Sequence, residues 1–243
     1  MTHNTTLIKL LIESGLGSRR KLADAIRQGR VQVNGTIAEN FKQTINPAED
    51  SVIIDGQVVN WTRPQMVYLM LNKPAGVITT TSDERERKTV MDLVPHSFRT
   101  SRLYPVGRLD KNSTGLLLLT NNGDLAYQLT HPKFEHEKEY LVAIRDKLKP
   151  EEERRLEKGL KLVDGRTYPS RVRKVRNMLP FNYIITIHEG RKRQVRRMFE
   201  ELGHSVLALR RVRMGNLRLG NLKEGEVREL SVDEIKNLLP ERR

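Results

Sequence analysis

The sequence predicts an α+β protein in which a small module of two helices and short strands precedes a larger, strand-rich domain. Three observations support this fold class: two helical patterns lie near the N-terminus, hairpin patterns follow them directly, and the remainder alternates short apolar runs with isolated helical patterns. The periodicity breaks around Pro64, and a proline biases its predecessor towards extended backbone. We therefore predict a first domain over 1–62, a linker over 63–66 and a second domain over 67–243.

Two short helices open the predicted first domain. The first has an apolar face over 7–14 and ends at Gly15, and Ser18 is placed to cap a second helix that ends at Gly29. At about 100° per residue, basic residues of the second helix lie opposite its apolar stripe. The stripe contains Leu22, Ala25 and Ile26, and the basic ridge contains Arg20 and Arg27.

Two hairpins follow these helices. The segments VQVNGTIAE and SVIIDGQVV place an Asn-Gly pair at 34–35 and an Asp-Gly pair at 55–56 between β-branched runs. These pairs favour the tight turns of β-hairpins. Trp61 comes just after the second hairpin, and we predict that it packs one domain against the other.

The second domain opens with the apolar strand MVYLML, a turn at Lys73 and Pro74, a second strand and a charged loop. The segment YPVGRLDKNSTGLLLLTNNG follows at 104–123, and its short apolar run at 116–119 predicts a buried strand. Asp110 therefore lies on a loop that is fixed to the core at its far end, where catalytic groups are commonly carried. An Asp here can also stabilise a turn through its own backbone, so the tripeptide Arg-Leu-Asp alone leaves both interpretations open.

Helices and strands alternate over the rest of the chain. We predict a short helix over 121–129, a strand that carries Tyr140, a helix over 150–160 and neighbouring strands over 171–176 and 181–190. The last strong pattern is the segment RKRQVRRMFEELGHSV, which predicts a helix with a strongly cationic outer face. Its inward residues are Val195, Met198, Phe199 and Leu202.

The charge of the chain points to a polyanionic partner. The net charge is +14, and the segment 188–218 contains nine Lys or Arg residues but only three Glu. Nucleic acid is the leading candidate, because such a charge releases counterions on binding; a generally basic, solvated surface is the alternative. Aromatic residues make up only 5% of the chain, so we expect no broad stacking surface for single strands.

Several kinds of site are absent from the sequence. The chain has no Cys, its His spacing contains no HExxH pattern, and neither a Walker lysine loop nor a dinucleotide glycine motif occurs. We therefore expect no metal and no other cofactor. No apolar run approaches the roughly 20 residues that a membrane span needs, and the N-terminus lacks a leader pattern. We expect a cytoplasmic monomer without a membrane partner.

Three segments of the second domain read MVYLMLNKPAG, GRLD followed by STGLLLLTN, and HEGRKRQVRRMFEELGH. They closely resemble the motifs of pseudouridine synthases, specifically the RsuA/RluB family, whose members modify ribosomal RNA. In the first domain, GLGSRRKLADAIRQGRVQVNG resembles the S4 RNA-binding domain. The chain departs from the family pattern at Asn122, where Asp is common, and at Thr6, where Arg is common.

The resemblance implies an enzyme that isomerises uridine to pseudouridine in ribosomal RNA or a ribosomal precursor particle, without a cofactor. It implies a second domain built on a mixed, largely antiparallel, bent sheet with flanking helices. Large-subunit RNA is favoured over small-subunit RNA. The other open interpretation is an RNA-binding assembly factor in which catalysis is secondary.

The resemblance also implies roles for particular residues. Asp110 is the catalytic carboxylate, Arg196 is the cation that keeps it ionised, and Lys73 with Pro74 shapes the floor of the site. Whether Asp110 forms a covalent adduct or removes a ribose proton to give a glycal stays open. Candidate phosphate contacts are Arg19, Arg20, Lys21, Arg27 and Arg30 in the first domain and Arg191, Arg193 and Arg197 in the second.

Base flipping adds two further roles. Arg108 is implied to fill the space that the target base vacates, and Tyr140 to stack on the extruded base. An ordinary core tyrosine is the alternative for Tyr140. Stacking on RNA is the alternative for Trp61.

Overall fold

Two units make up the chain, Met1–Gln65 and Met66–Arg243, in a computed structural model that describes residues 4–62 and 64–238. The predicted linker at 63–66 contains Arg63, which lies outside the described residues. The predicted domain ends at residues 1–3 and 239–243 lie outside them as well. The domain bounds therefore stay a prediction.

Both helices of the first unit form where the local sequence favours them. α1 is Leu7–Glu13 and α2 is Arg19–Arg27, and the Ser18 hydroxyl accepts a hydrogen bond from the Lys21 amide at 3.3 Å. The predicted N-cap is therefore present. Their apolar faces pack with the strands into one core, which contains Leu7, Ile8, Leu10, Leu11, Leu22, Ala25, Ile26, Val31, Val33, Ala38, Ile45 and Val52.

Six short strands complete the first unit. They are β1 (Thr5–Thr6), β2 (Val31–Val33), β3 (Thr36–Ile37), β4 (Thr44–Ile45), β5 (Val52–Ile54) and β6 (Gln57–Val58). β1 pairs with β4, and the others form an antiparallel sheet in the order β3, β2, β5, β6. Asn34 and Asp55 have φ values of 51° and 49°, and the glycine after each has a φ of 80°. Both predicted hairpin turns therefore form.

Trp61 packs within the first unit. Its ring lies against the core of the first unit, and its Nε1 donates to Glu13 Oε2 at 3.2 Å. The indole thus closes the core of the N-terminal unit itself, because its one polar atom finds an acceptor on α1.

The second unit is built on a nine-stranded sheet. Its strands are β7 (Tyr68–Lys73), β8 (Tyr104–Pro105), β9 (Thr114–Thr120), β10 (Lys138–Ile144), β13 (Arg171–Met178), β14 (Phe181–Ile187), β15 (Val206–Met214), β16 (Leu217–Arg218) and β17 (Val227–Glu229). The order is β13, β14, β10, β15, β9, β7, β17, with β16 beside β15 and β8 beside β9. β9 and β15 run parallel and the other pairs run antiparallel, so the mixed, largely antiparallel sheet is confirmed. A separate hairpin joins β11 (Lys161–Leu162) to β12 (Gly165–Arg166).

Helices cover both faces of this sheet. They are α3 (Gly123–Thr130), α4 (Pro150–Lys158), α5 (Gln194–Glu200) and α6 (Val232–Leu238), with 3-10 helices at Val90–Leu93, His96–Phe98 and Pro132–Phe134. Leu117 and Leu119 pack in the core with α4 and α5, whereas Leu116 and Leu118 pack in the core with α3 and α6. The uninterrupted apolar run of β9 follows from burial on both faces. Within the described ranges, no helix has the length and apolar character that a membrane crossing needs.

Two sequence predictions are wrong in detail. The second strand expected after Pro74 is reduced to a single bridge between Ile78 and Thr89. The next residue, Thr79, uses its hydroxyl to donate to the Leu109 carbonyl at 2.8 Å and to accept from the Leu109 amide at 3.3 Å. The Thr79 side chain thus makes the hydrogen bonds that a neighbouring strand would otherwise make. The cationic helix also begins later than expected, because Arg193 adopts a left-handed φ of 51° before α5.

The departure at Asn122 is compatible with the fold. Its side-chain oxygen accepts from the Leu125 amide at 3.1 Å and caps α3, a role that Asp and Asn fill equally well. Its amide nitrogen also donates to the Tyr68 hydroxyl at 2.9 Å. An ionised Asp has no donor for this second bond.

Gly115 marks a close approach of β9 to β15. Its φ is 102°, and a Cβ there would lie 2.2 Å from the Arg211 carbonyl oxygen and 2.7 Å from the Arg211 nitrogen. We expect Gly115→Ala to lower the free energy of unfolding by about 3 kcal/mol or more, because two backbones must separate. Urea unfolding followed by circular dichroism measures this loss.

Gly220→Ala is the matched control for this variant. Gly220 has a positive φ of 60° but open space at its Cβ position. Its substitution tests backbone strain alone, which costs about 1–2 kcal/mol. Equal losses in the two variants would contradict the close-approach explanation.

Candidate active site

One row of paired residues crosses the sheet beside the Asp110 loop. Lys73 on β7 pairs with Gly115 on β9, Gly115 pairs with Arg211 on β15, and Arg211 pairs with Tyr140 on β10. Adjacent strands lie about 4.8 Å apart, so Lys73 and Tyr140 are separated by about 14 Å along this row. The loop that carries Asp110 enters β9 at the end of the same row.

Backbone contacts fix this loop on both sides of Asp110. The Thr79 hydroxyl bonds both backbone groups of Leu109. On the other side, the Ser113 amide donates to the Asp110 carbonyl at 3.0 Å, and the Gly76 amide donates to the Lys111 carbonyl at 2.9 Å. The position of the half-buried Asp110 is therefore set by its neighbours.

Two buried cations bind the carbonyls that follow Asp110. Lys73, whose side chain is fully buried, donates from Nζ to the carbonyls of Lys111 at 3.1 Å, Ser113 at 2.9 Å and Pro74 at 2.9 Å. Arg196 donates from Nη2 to the carbonyl of Asn112 at 3.2 Å. Three consecutive loop carbonyls thus receive bonds from two positive charges, and such charge-assisted bonds are the stronger kind.

Both cations interact electrostatically with Asp110. Burial lowers the pKa of Lys73 to about 8, while the negative charges of Asp110 and Glu224 act to raise it. Burial and the charge of Arg193 lower the pKa of Arg196, and Asp110 again acts in the opposite direction. The Asp110 carboxylate therefore lies in the positive field of both groups.

Arg196 acts on Asp110 through its charge and through the loop backbone rather than through a direct ion pair. Its side chain is only 7% exposed, and its second terminal nitrogen donates to the Val206 carbonyl at 2.8 Å. Among the described residues, no cation lies within the 4.0 Å ion-pair distance of the Asp110 carboxylate. Arg196 thus holds the loop backbone, and its buried Nε has no partner within the described part of the chain.

Tyr140 and Arg108 occupy contrasting environments. Tyr140 is 8% exposed and packs in the core on the α5 side of the sheet, next to a β-bulge between Glu139 and Tyr140. Bulges are common beside active sites, where they re-aim a side chain. Arg108 is exposed on the loop, between Gly107 and the buried Leu109.

The candidate phosphate contacts of the first unit fall into two groups. Arg19, Arg20 and Lys21 are exposed, and none has an ion-pair partner among the described residues. Arg27 pairs with Asp24 at 2.8 Å, and Arg30 pairs in a bidentate manner with Asp55. Exposed pairs contribute only about 0–1 kcal/mol, so a phosphate could displace either carboxylate.

The expected cationic face of α5 is largely occupied. Arg191 binds Glu189 at 2.9 Å and donates to the carbonyls of the β11–β12 hairpin, and Arg197 pairs with Asp164 of that hairpin at 2.8 Å. Arg193 contacts Glu200 at 3.4 Å. The reason is that oxygens of the β11–β12 hairpin, which is distant in sequence, bind the guanidinium groups of Arg191 and Arg197.

Sequence reasoning missed a second positively charged surface. A cavity of about 410 Å³ lies at the end of α4, and Glu151 is its one acidic lining residue. The five cations that line it have no ion-pair partner among the residues that the structure describes. The sequence did contain a signal for this surface, because Arg154, Arg155 and Lys158 follow the acidic start of α4 at the spacing i, i+1, i+4. We call the five residues the α4 basic surface; they are Arg154, Arg155, Lys158, Lys161 and Arg166.

Comparison with known proteins agrees with this architecture. The RNA pseudouridylate synthase family matches residues 67–201, and the S4 domain family matches residues 6–52. The ribosomal large subunit pseudouridine synthase B of Bacillus subtilis is 39% identical over 235 residues, which cover 96% of this chain and 94% of that protein. The dual-specificity RNA pseudouridine synthase RluF of Escherichia coli is also 39% identical, over 96% of this chain and 77% of that protein.

A solved structure has a similar fold. The crystal structure of a pseudouridylate synthase matches with a TM-score of 0.69 and 33% identity, over 96% of this chain and 99% of that chain. The family match includes the β7 strand, the Asp110 loop and α5. The chain therefore belongs to the RNA pseudouridylate synthase family and carries an S4 domain at its N-terminus.

Proposed function

We propose that this protein isomerises a uridine of large-subunit ribosomal RNA to pseudouridine, with Asp110 as the reacting carboxylate. The observation that carries the proposal is the loop geometry, in which two buried cations hold the backbone after Asp110. The Bacillus subtilis relative has the large ribosomal subunit in its name, and it matches over nearly its whole length. The dual-specificity relative has about a quarter of its length outside the match, so it supports this choice less.

The reaction needs no co-substrate, because it is an isomerisation. The N1–C1′ bond of uridine breaks, a C5–C1′ bond forms, the C5 proton leaves, and N1 takes up a proton. A carboxylate can start this by bonding to the nucleoside or by removing a ribose proton to give a glycal, and both routes remain open. Either route needs a carboxylate held in one place near positive charge, which Lys73 and Arg196 supply.

The target base must leave its stack before it can react, which costs a few kcal/mol. Arg108 is exposed two residues before Asp110, so its side chain is suited to fill the vacated space. Tyr140 lies on the same cross-strand row as Lys73 and is proposed to stack on the extruded uracil. Base–aromatic stacking is typically worth about 1–3 kcal/mol.

We further propose how the chain binds its RNA. The exposed Arg19, Arg20 and Lys21 of the S4 unit contact phosphates, and the α4 basic surface supplies a second contact region. The predicted division at 1–62, 63–66 and 67–243 fits these two roles. The protein is proposed to act in the cytoplasm, as a monomer, on ribosomal RNA or a precursor particle.

Neutralising the α4 basic surface is expected to weaken RNA binding and flatten its salt dependence. The triple variant Arg154→Gln, Arg155→Gln and Lys158→Gln keeps good helix formers in α4. Each lost phosphate contact removes about 0.7–0.9 from the slope of log affinity against log salt concentration. Binding titrations of a ribosomal RNA fragment at several salt concentrations measure this slope.

Glu151→Gln is the opposite-sign control, because it removes the acidic side chain that lines the same cavity. This variant is expected to bind RNA more tightly. An unchanged slope in the triple variant would contradict the phosphate assignment of the α4 basic surface.

The function itself is tested by mapping pseudouridines in ribosomal RNA from a strain that lacks the gene. We expect at least one large-subunit position to lose its modification and to regain it when the gene is restored. Loss confined to small-subunit RNA would contradict the choice of large-subunit RNA. Fully modified RNA combined with defective ribosome assembly would favour the RNA-binding assembly factor.

A further inference from the structure

A cluster of rings lies on the surface where α3 ends. The Tyr127 and His131 ring centroids are 4.8 Å apart, and those of Tyr127 and Phe134 are 5.9 Å apart with an edge-on arrangement. Lys133 Nζ lies 5.4 Å from the Tyr127 centroid and 4.7 Å from the Phe134 centroid. We call these four residues the aromatic cluster.

The aromatic cluster is exposed, although its members are large. Tyr127 is 49% exposed and Phe134 is 37% exposed. His131 has a local role, because its Nδ1 accepts from the Lys133 amide at 3.2 Å and caps the following 3-10 helix. Local capping explains His131, but it needs neither the Tyr127 ring nor the Phe134 ring.

The end of α3, where the aromatic cluster begins, approaches the loop that leads to Asp110. α3 ends at Thr130, and a Cβ on Gly107 would lie 3.5 Å from Thr130 Cγ2. Asp110 is three residues after Gly107, so the Cα atoms of Gly107 and Asp110 are at most about 11 Å apart. Tyr127 precedes Thr130 by less than one helical turn and His131 follows it directly, so an RNA strand whose uridine reaches Asp110 would bring a neighbouring nucleotide near these rings.

We propose that the aromatic cluster binds an unpaired base of the substrate RNA beside the target uridine. This inference rests on the proposed function and adds a recognition site to it. Unpaired RNA bases are bound by stacking on aromatic rings, whereas paired bases keep their faces covered within the helix. Lys133 adds positive charge next to the rings, which suits a nucleotide and its phosphate. The expected specificity is therefore for single-stranded RNA flanking the uridine.

The test compares two labelled probes, an unstructured adenine-rich RNA strand and a fully paired RNA duplex of the same length. The double variant Tyr127→Leu and Phe134→Leu keeps apolar bulk but removes both ring faces. We expect it to bind the single strand about 10- to 100-fold more weakly, since stacking is worth about 1–3 kcal/mol per base. Its affinity for the duplex and its salt slope should match those of the parent protein.

Two further variants make the result specific. Tyr127→Phe keeps the ring and should bind the single strand like the parent. Tyr168→Leu is the matched control, because Tyr168 is 54% exposed and also contacts a histidine ring, His188, at 4.9 Å. An equal loss in Tyr168→Leu, an equal loss on the duplex, or no loss in the double variant would overturn the proposal.

The proposed function and this inference are tested by different measurements. Pseudouridine formation by the parent protein tests the function, whereas the probe comparison measures binding alone. Circular dichroism and thermal unfolding of the double variant establish that it is folded; a variant that unfolds is replaced by Tyr127→Leu and Phe134→Leu tested singly. If both single variants bind the single strand as tightly as the parent protein, the proposal is overturned.

Discussion

Asp110→Asn is expected to abolish pseudouridine formation while the protein stays folded and binds RNA. The amide keeps the size and polarity of the side chain but has neither the negative charge nor the basicity that either chemical route needs. Loss of a reacting group of this kind costs about 10⁴-fold or more in rate. Single-turnover assays on a ribosomal RNA fragment, with modified uridines detected by chemical labelling, measure the loss.

Asp146→Asn serves as the matched control, because Asp146 is an exposed carboxylate on the loop after β10. It should react like the parent protein. Turnover by Asp110→Asn at the parental rate would contradict the assignment of Asp110. A large loss of RNA affinity in Asp110→Asn would show that the carboxylate matters for binding rather than for the reaction.

Lys73→Met is expected to lower the single-turnover rate about 10²-fold, because the carbonyls of Ser113 and Pro74 lose their donor and the Asp110 loop shifts. Misplacement of a reacting group by about 1 Å costs this much. The Lys111 carbonyl keeps its bond from the Gly76 amide, so the loop should remain folded. The affinity for RNA is expected to change far less than the single-turnover rate.

The pKa of Lys73 gives this prediction a distinctive pH dependence. As the pH rises through about 8, the parent loses one of three Nζ donors and a positive charge beside Asp110, so its rate should fall. The unfolded lysine has its ordinary pKa of 10.5, so the unfolded state binds more protons between about 8 and 10.5. The free energy of unfolding should therefore rise with pH over this window. Rate and stability thus move in opposite directions.

Lys138 must be separated from Lys73 in this experiment, because burial also lowers its pKa to about 8. Lys138 Nζ donates to the His136 carbonyl rather than to the Asp110 loop. Lys73→Met should remove the fall in rate above pH 8, whereas Lys138→Met should retain it. The reverse pattern would contradict the role of Lys73 in holding the loop.

Local patterns predicted most of the secondary structure. The Ser18 cap and the two glycine turns at 34–35 and 55–56 each depend on neighbours within a few residues, and the apolar run at 116–119 indicated its buried strand directly. A cap or a tight turn can be predicted from the sequence because its hydrogen bonds and backbone angles involve only residues close together in the chain. The strand expected after Pro74 failed because Thr79 bonds to Leu109, thirty residues away.

Charge patterns were a weaker guide. The cations of the segment RKRQVRRMFEELGHSV were predicted to form the outer face of one helix, but Arg191 and Arg197 hold the β11–β12 hairpin and Arg196 is buried. Apart from the Arg191–Glu189 pair, the acceptors of these residues lie 10 to 84 positions away. The sequence shows where the charges are, but it does not show which acceptors will fold against them.

The sequence by itself determined the two-part α+β organisation, the family, and Asp110 as the candidate carboxylate, because each rests on contiguous motifs. Only the tertiary structure decided that Lys73 and Arg196 bind the carbonyls after Asp110, since β7 and α5 meet that loop through contacts 38 to 84 residues apart. It also decided which basic side chains are exposed and which are paired or buried. A composition of 5% aromatic residues gives no sign of a local cluster, because the folding of α3 and the 3-10 helix after it brings Tyr127, Lys133 and Phe134 together in space.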